Sequence, residues 1–143
     1  MTNSASHGDL TWILDELIEV PDVVYALVLS TDGLVVQKST SLPQDAAELL
    51  AAGASSLHSV AAGMGRRFRS GSVQQVIIEY QDRTMFVAAA GQNARLAVLC
   101  EQSVDMGTVA FEMSRMVTRI GRYLGSETRT TASSSGQSGA GHA

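Results

Sequence analysis

Residues 44–68, QDAAELLAAGASSLHSVAAGMGRRF, read as one long helix that is apolar on two sides. Such a helix restricts the chain to folds that cover it twice. At about 100° per residue, Ala46, Leu49, Leu50, Gly53, Leu57, Val60, Met64 and Phe68 form a broad bulky face. Ala47, Ala51, Ala54, His58, Ala61 and Gly65 form a second stripe made of small residues, and Glu48, Ser55, Ser59 and Arg66 are left for solvent. A surface helix needs only one apolar face. The bulky face is expected to cover a sheet of the same chain, and the small stripe to admit a second backbone. A chain of 143 residues has little left to supply that backbone, which points to a second copy and to an interaction module rather than a lone enzyme.

That length predicts one domain. It buries roughly two-thirds of its unfolded surface, enough to fold without metal or disulfide. A net charge of −4 and few aromatic residues argue against nucleic acid as a partner. Lys38 is the single lysine among ten Lys and Arg residues, which favours packed or paired cations over a diffuse basic surface. Cys100 is the one cysteine, so no intrachain disulfide forms, and a reducing, cytoplasmic setting is expected. The first residues lack the basic and apolar regions of a secretory signal. No apolar run approaches the roughly 20 residues of a membrane span, so no membrane insertion is expected.

Residues 1–8 are small and polar and are expected to be disordered. Asp9 is a candidate N-cap for a helix carrying Leu10, Ile13, Leu14, Leu17 and Ile18, ended by Pro21. Residues 23–30 and 34–38 read as strands joined at Thr31-Asp32-Gly33, a hairpin signal. After the long helix, residues 73–80, 84–90 and 95–101 read as three more strands. Asp105 caps a last helix with Met106, Val109, Met113, Met116, Val117, Ile120 and Leu124 on one face, and Gly125 is its expected stop. Residues 125–143, rich in Ser and Gly, form an expected disordered tail, which leaves a domain at 9–124. Every strand-to-strand link is short, so the expected fold is α/β: an α/β/α sandwich with a five-stranded antiparallel sheet. The apolar runs at residues 23–29 and 96–100 predict central strands.

This order resembles the roadblock family (dynein light-chain roadblock type), in its bacterial branch. The resemblance rests on Leu14-Asp15-Glu16-Leu17 before Pro21, on Ala26-Leu27-Val28-Leu29-Ser30-Thr31-Asp32-Gly33-Leu34-Val35, and on the Ala/Gly-rich helix through Gly65-Arg66. Ala94-Arg95-Leu96-Ala97-Val98-Leu99 and Gly107-Thr108-Val109-Ala110-Phe111-Glu112-Met113 complete it. It implies a profilin-like or longin-like sandwich that homodimerises, with long second helices packed together and third strands paired at the sheet edge. It also implies a platform for a small Ras-like GTPase, with some members raising GTP hydrolysis and others encoded beside a sensor kinase. Residues 73–80 would be the exposed edge, since an unpaired edge is a template for another strand.

Enzyme motifs are missing from this pattern. Ser55, in Gly53-Ala54-Ser55-Ser56-Leu57, lacks the second Gly of a nucleophile elbow and lies within a helix. Gly63-Met64-Gly65 precedes a strand, whereas a dinucleotide loop follows one, and there is no phosphate-binding G-x-x-x-x-G-K-[ST]. His7, His58 and His142 are far apart and, with one Cys, make no zinc set. No cofactor and no catalytic residue are expected. His58 facing its symmetry mate would make a dimer sensitive to pH near 6.5, and Cys100 reads as an inert buried group. Arg66, Arg67 and Arg69 suit the C-terminal end of the long helix, and Arg115, Arg119 and Arg122 read as a solvated face of the last one.

The expected function is a non-catalytic homodimeric regulator or scaffold for a small GTPase, with GTPase activation as one form. The alternatives are a small-molecule-sensing α/β sandwich and a pure localisation scaffold. The expected dimer interface is Ala47, Ala51, Ala54, His58, Ala61, Gly65 and the edge residues Val73, Gln75 and Ile77. The expected docking residues are Glu48, Ser55, Ser59, Arg66 and Arg67.

Overall fold

The computed structural model describes the backbone of residues 2–140 and the side chains of residues 10–125. In chain order the elements are α1 (Thr2–Ile18), β1 (Val23–Ser30), β2 (Val35–Lys38), α2 (Gln44–Arg67), β3 (Val76–Glu79), β4 (Arg83–Ala89), β5 (Ala94–Glu101) and α3 (Met106–Ala140). The five strands form one antiparallel sheet in the order β2-β1-β5-β4-β3. The β1–β2 hairpin closes where Gly33 adopts a φ of 83°. The Ser30 N–H donates to the Leu34 carbonyl at 2.9 Å and the Gly33 N–H to the Ser30 carbonyl at 3.0 Å. Only glycine takes that backbone region without steric cost.

Side chains alternate across the sheet and divide the core in two. Ala26, Val28, Phe86, Ala88, Leu96 and Val98 face α1 and α3, meeting Leu14, Leu17, Val109, Met113, Met116 and Ile120. Leu27, Leu29, Met85, Val87 and Ala97 face α2. Register enforces the split: Val28 stands opposite Leu96, and Leu27 opposite Ala97. The result is the expected α/β/α sandwich, with two helices on one face and one on the other. The apolar strands β1 and β5 are interior, and β5 is the centre of the sheet.

Both terminal helices run past their expected limits. α1 starts at Thr2, so Asp9 lies inside the helix and is no N-cap. α3 continues beyond Gly125 to Ala140. Glycine inside a helix costs about 1 kcal/mol relative to alanine but keeps its N–H, so it weakens a helix without forcing a stop. Residues 1 and 141–143 of the expected disordered segments lie outside the described residues, as do the side chains of His7 and His142. Asp105 caps α3 as expected, its carboxylate accepting the Thr108 N–H at 3.0 Å.

In the arginine row of α3, Arg115 and Arg122 are exposed as expected and Arg119 departs from a solvated face. Arg119 bonds Glu16 of α1 at 2.7 Å, and its guanidinium lies 4.9 Å from the Trp12 ring centroid, tying α1 to α3. Arg115 pairs with Glu112 at 3.1 Å.

The β4–β5 turn meets α3 backbone to backbone. A Cβ added at Gly121 would lie 3.2 Å from the Gly91 nitrogen, and Gly91 itself has a φ of 77°. A Gly121→Val substitution must therefore push the turn off the helix. We expect it to destabilise the fold by about 1–3 kcal/mol, read as a lower midpoint in urea unfolding; an unchanged midpoint would show that the contact yields freely.

Candidate functional site

α2 determines what this molecule presents to others, and it is seated the opposite way from the expectation. Its small stripe faces the chain's own sheet. Ala47, Ala51 and Ala54 are fully buried and His58 is 6% exposed. They pack over Leu27, Leu29, Met85 and Val87, and this accounts for the reversal. The sheet face already carries large side chains, so close packing leaves room only for small ones on the helix. Ala61 and Gly65 continue the stripe, half-buried. At its end the chain's own loop closes in: a Cβ on Gly65 would lie 2.8 Å from the Gly71 carbonyl oxygen, and the Ser70 N–H donates to the Gly65 carbonyl at 2.8 Å. Ala47, Ala51, Ala54 and His58 are thus buried inside the protomer, whereas Ala61 and Gly65 keep partial exposure.

The bulky face is correspondingly outside. Leu49 is 77%, Val60 61%, Met64 55% and Phe68 74% exposed. Ala46 and Gly53 are exposed beside them, while Leu50 and Leu57 are half-buried at the margin of the core. On one flank of α2 the Ser55 hydroxyl donates to the Thr31 carbonyl at 2.9 Å, and a Cβ on Gly33 would lie 3.3 Å from that of Ser55. That flank abuts the β1–β2 turn. Leu50 and Leu57 lie about half a turn away from Ser55. They pack against the same core cluster as Val76 and Ile78 of β3. The sequence signal for this arrangement was the bulk of Leu27, Leu29, Met85 and Val87, which only a small-faced helix can cover.

β3 is shorter than predicted. Residues 69–75 form a loop in which Arg69 and Gly71 have φ values of 53° and 84°, so pairing starts at Val76. β3 pairs with β4 on one side, and among the described residues its other edge is open. Of the expected edge residues only Ile77 lies on the strand, where it is exposed. Val73 and Gln75 precede it. Gln75 donates its amide to the Met113 sulfur at 3.8 Å, and Val73 lines a cavity under the end of α2.

The expected docking residues divide. Glu48, Ser59 and Arg66 are exposed on the flank shared with Ser55. Ser55 is a brace rather than a free contact. Arg67 is about 100° further round, in line with Leu49.

Beneath the C-terminal half of α2, neither ring nitrogen of His58 has a hydrogen-bond partner. Burial, reinforced by the nearby Arg95 guanidinium, holds its pKa below the ordinary 6.5. Arg95 stands on β5 opposite Leu29, and burial lowers its pKa too. Burial, with Asp22 adding repulsion, pushes the Cys100 thiol up to about 11, which leaves it a thiol and a poor nucleophile. Among the described residues no group of three or more His, Cys, Asp and Glu could hold a metal ion, and no helix is long and apolar enough to cross a membrane.

The molecule is thus a three-layer sandwich with an exposed apolar ridge on α2 and an open sheet edge at β3. The chain belongs to the Roadblock/LC7 domain family, whose family model matches residues 10–100. It is similar to a Roadblock/LC7 domain from Streptomyces avermitilis, at 36% identity and a TM-score of 0.76 over 80% of this chain and 96% of that one. The gliding protein MglB from Thermus thermophilus shares the fold at 18% identity, with a TM-score of 0.75 over 83% of this chain and 90% of that one. Profilin IA from Acanthamoeba castellanii shares it at 13% identity, with a TM-score of 0.55 over 78% of this chain and 95% of that one. A search of curated proteins finds no match.

The seating of His58 replaces a pH-sensitive dimer contact with a pH-sensitive fold. The charged groups that share its cavity are Arg66 and Arg69 from the end of α2 and its loop and Arg95 from the sheet; after burial itself, it is Arg95 that opposes its protonation. The unfolded chain protonates His58 near 6.5 and the folded chain resists, so this group leaves stability intact above that pH and removes it as pH falls below. Between pH 8 and 5.5 the wild type should lose more stability than a His58→Gln variant, as measured by urea unfolding. Equal losses would refute the assignment.

Proposed function

We propose that this chain is a homodimeric regulator or scaffold that binds a small Ras-like GTPase in bacterial signalling and contributes no chemistry of its own. The observations that support the reading are the exposed ridge Leu49, Val60, Met64 and Phe68 and the open edge of β3. The family resemblance implies a dimer of packed second helices and paired third strands, and these are the two elements left uncovered. Burying each such side chain contributes about 1.5–3 kcal/mol. A two-fold interface buries the set on both protomers, a gain of the size needed against an association cost of about 4–15 kcal/mol.

With the ridge covered, the flank bearing Glu48, Ser59 and Arg66 still faces outward and is the proposed docking surface. Action there consists of ordering the GTPase's switch loops or holding it in place. A cytoplasmic setting suits the single buried thiol, and the resemblance places such chains beside sensor kinases.

Val60→Arg should leave the protomer folded and weaken self-association by about a hundredfold or more, because the charge would be buried against its own copy. Ala54→Arg should instead unfold the protomer, since Ala54 is sealed against the sheet. Light scattering across a concentration series, with circular dichroism for folding, separates the two. A Val60→Arg dimer as tight as the wild type would exclude the ridge.

The function itself is tested by mixing the protein with a Ras-like GTPase from the same genome, loaded with GTP or GDP, and following complex formation and phosphate release. GTP-selective binding with faster hydrolysis is the outcome for an activator, and selective binding with unchanged turnover that for a scaffold. Failure to bind in either state would overturn the GTPase reading.

A further inference from the structure

Between the C-terminal half of α2, the loop after it and the start of β5 lies a cavity of about 490 Å³. Its polar lining is His58, Arg66, Arg69, Ser72, Gln92 and Arg95, with no carboxylate among the lining residues. Two of these groups are unsatisfied in the chain alone. His58 is buried with both ring nitrogens unpartnered, a state that is costly when left uncompensated. Arg95 is half-buried, and its guanidinium bonds only the Ala94 carbonyl, at 3.1 Å; none of the ion pairs among the described residues includes it. Three arginines and a histidine thus line one cavity in a protein whose net charge is −4.

We propose that this cavity binds a small oxyanion, a phosphate or phosphate monoester, with Arg95 and the buried His58 at its floor and Arg66 and Arg69 closing over it. A planar guanidinium presents paired N–H donors that match a phosphate or carboxylate edge. The oxyanion supplies the acceptor that Arg95 lacks and a partner for an N–H of His58. The apolar walls at Ala62, Val73 and Ala89 leave room for the remainder of a monoester. Ala62 and Arg66 lie on the flank of α2 away from Leu50 and Leu57. The site stands on its own residues and does not depend on the GTPase reading.

Thermal unfolding of the full chain with inorganic phosphate, against chloride at matched ionic strength, tests it directly. Phosphate at several times its Kd should raise Tm by about 2–4 °C over chloride, and the His58 imidazole ¹⁵N signals should shift as it is added. Arg95→Gln should weaken phosphate binding about tenfold or more. The exposed pair Arg66→Gln and Arg69→Gln, made together, should weaken it several-fold and serves as the test if Arg95→Gln fails to fold. An equal response to acetate would support the oxyanion site and assign it to carboxylates. A Tm that responds no more to either oxyanion than to chloride, or variants that bind phosphate like the wild type, would overturn the proposal.

Discussion

The close seating of α2 on the sheet is the constraint on which the rest depends. Ala47, Ala51 and Ala54 carry nothing beyond a Cβ, so the helix descends until it meets Leu27, Leu29, Met85 and Val87. Ser55 against the β1–β2 turn fixes one flank, and Gly65 against the Gly71 carbonyl fixes the end. Any larger residue in the stripe would lift the helix and open all three contacts at once, because a packed interior has no slack to absorb it.

That seating turns the bulky side chains outward, where they are a liability unless covered. Contiguous exposed apolar surface promotes association, and an open strand edge does the same through its backbone. In this protein the exposed side chains Leu49, Val60, Met64 and Phe68 belong to α2, and the open edge belongs to β3, which follows α2 in the chain.

Most of the fold was legible because its signals are local. The Asp32-Gly33 turn, the period of the last helix and the apolar runs of β1 and β5 each report their own structure, and the five-stranded sandwich follows from their order. The seating of α2 was not legible from the helix alone. Periodicity shows that two faces are apolar, but which one meets the sheet depends on the volume of the strand residues beneath, a non-local quantity. The edge failed for a similar reason: residues 73–75 have strand-like composition, yet Arg69 and Gly71 set a loop geometry that delays pairing until Val76. His58 and Arg95 lie 37 positions apart in sequence, and only the seating of the helix brings them together.

The treatment of arginine across the molecule separates structure from function. Arg83, Arg115 and Arg119 each hold a carboxylate, at 3.1, 3.1 and 2.7 Å, and Arg119 joins two helices by doing so. Arg66, Arg67, Arg69, Arg95 and the exposed Arg122 hold none among the described residues, although the chain has acidic residues in excess. The first three gain from the C-terminal end of α2, but Arg95 belongs to a strand and gains nothing from that dipole. A cation withdrawn from water without a counter-charge is costly, and here it sits beside a histidine that has no hydrogen bond. Arg66, Arg69 and Arg95 share one cavity with His58, whereas Arg67 stands in line with the exposed Leu49; it is the buried His58 and the half-buried Arg95 whose placement the fold alone does not account for.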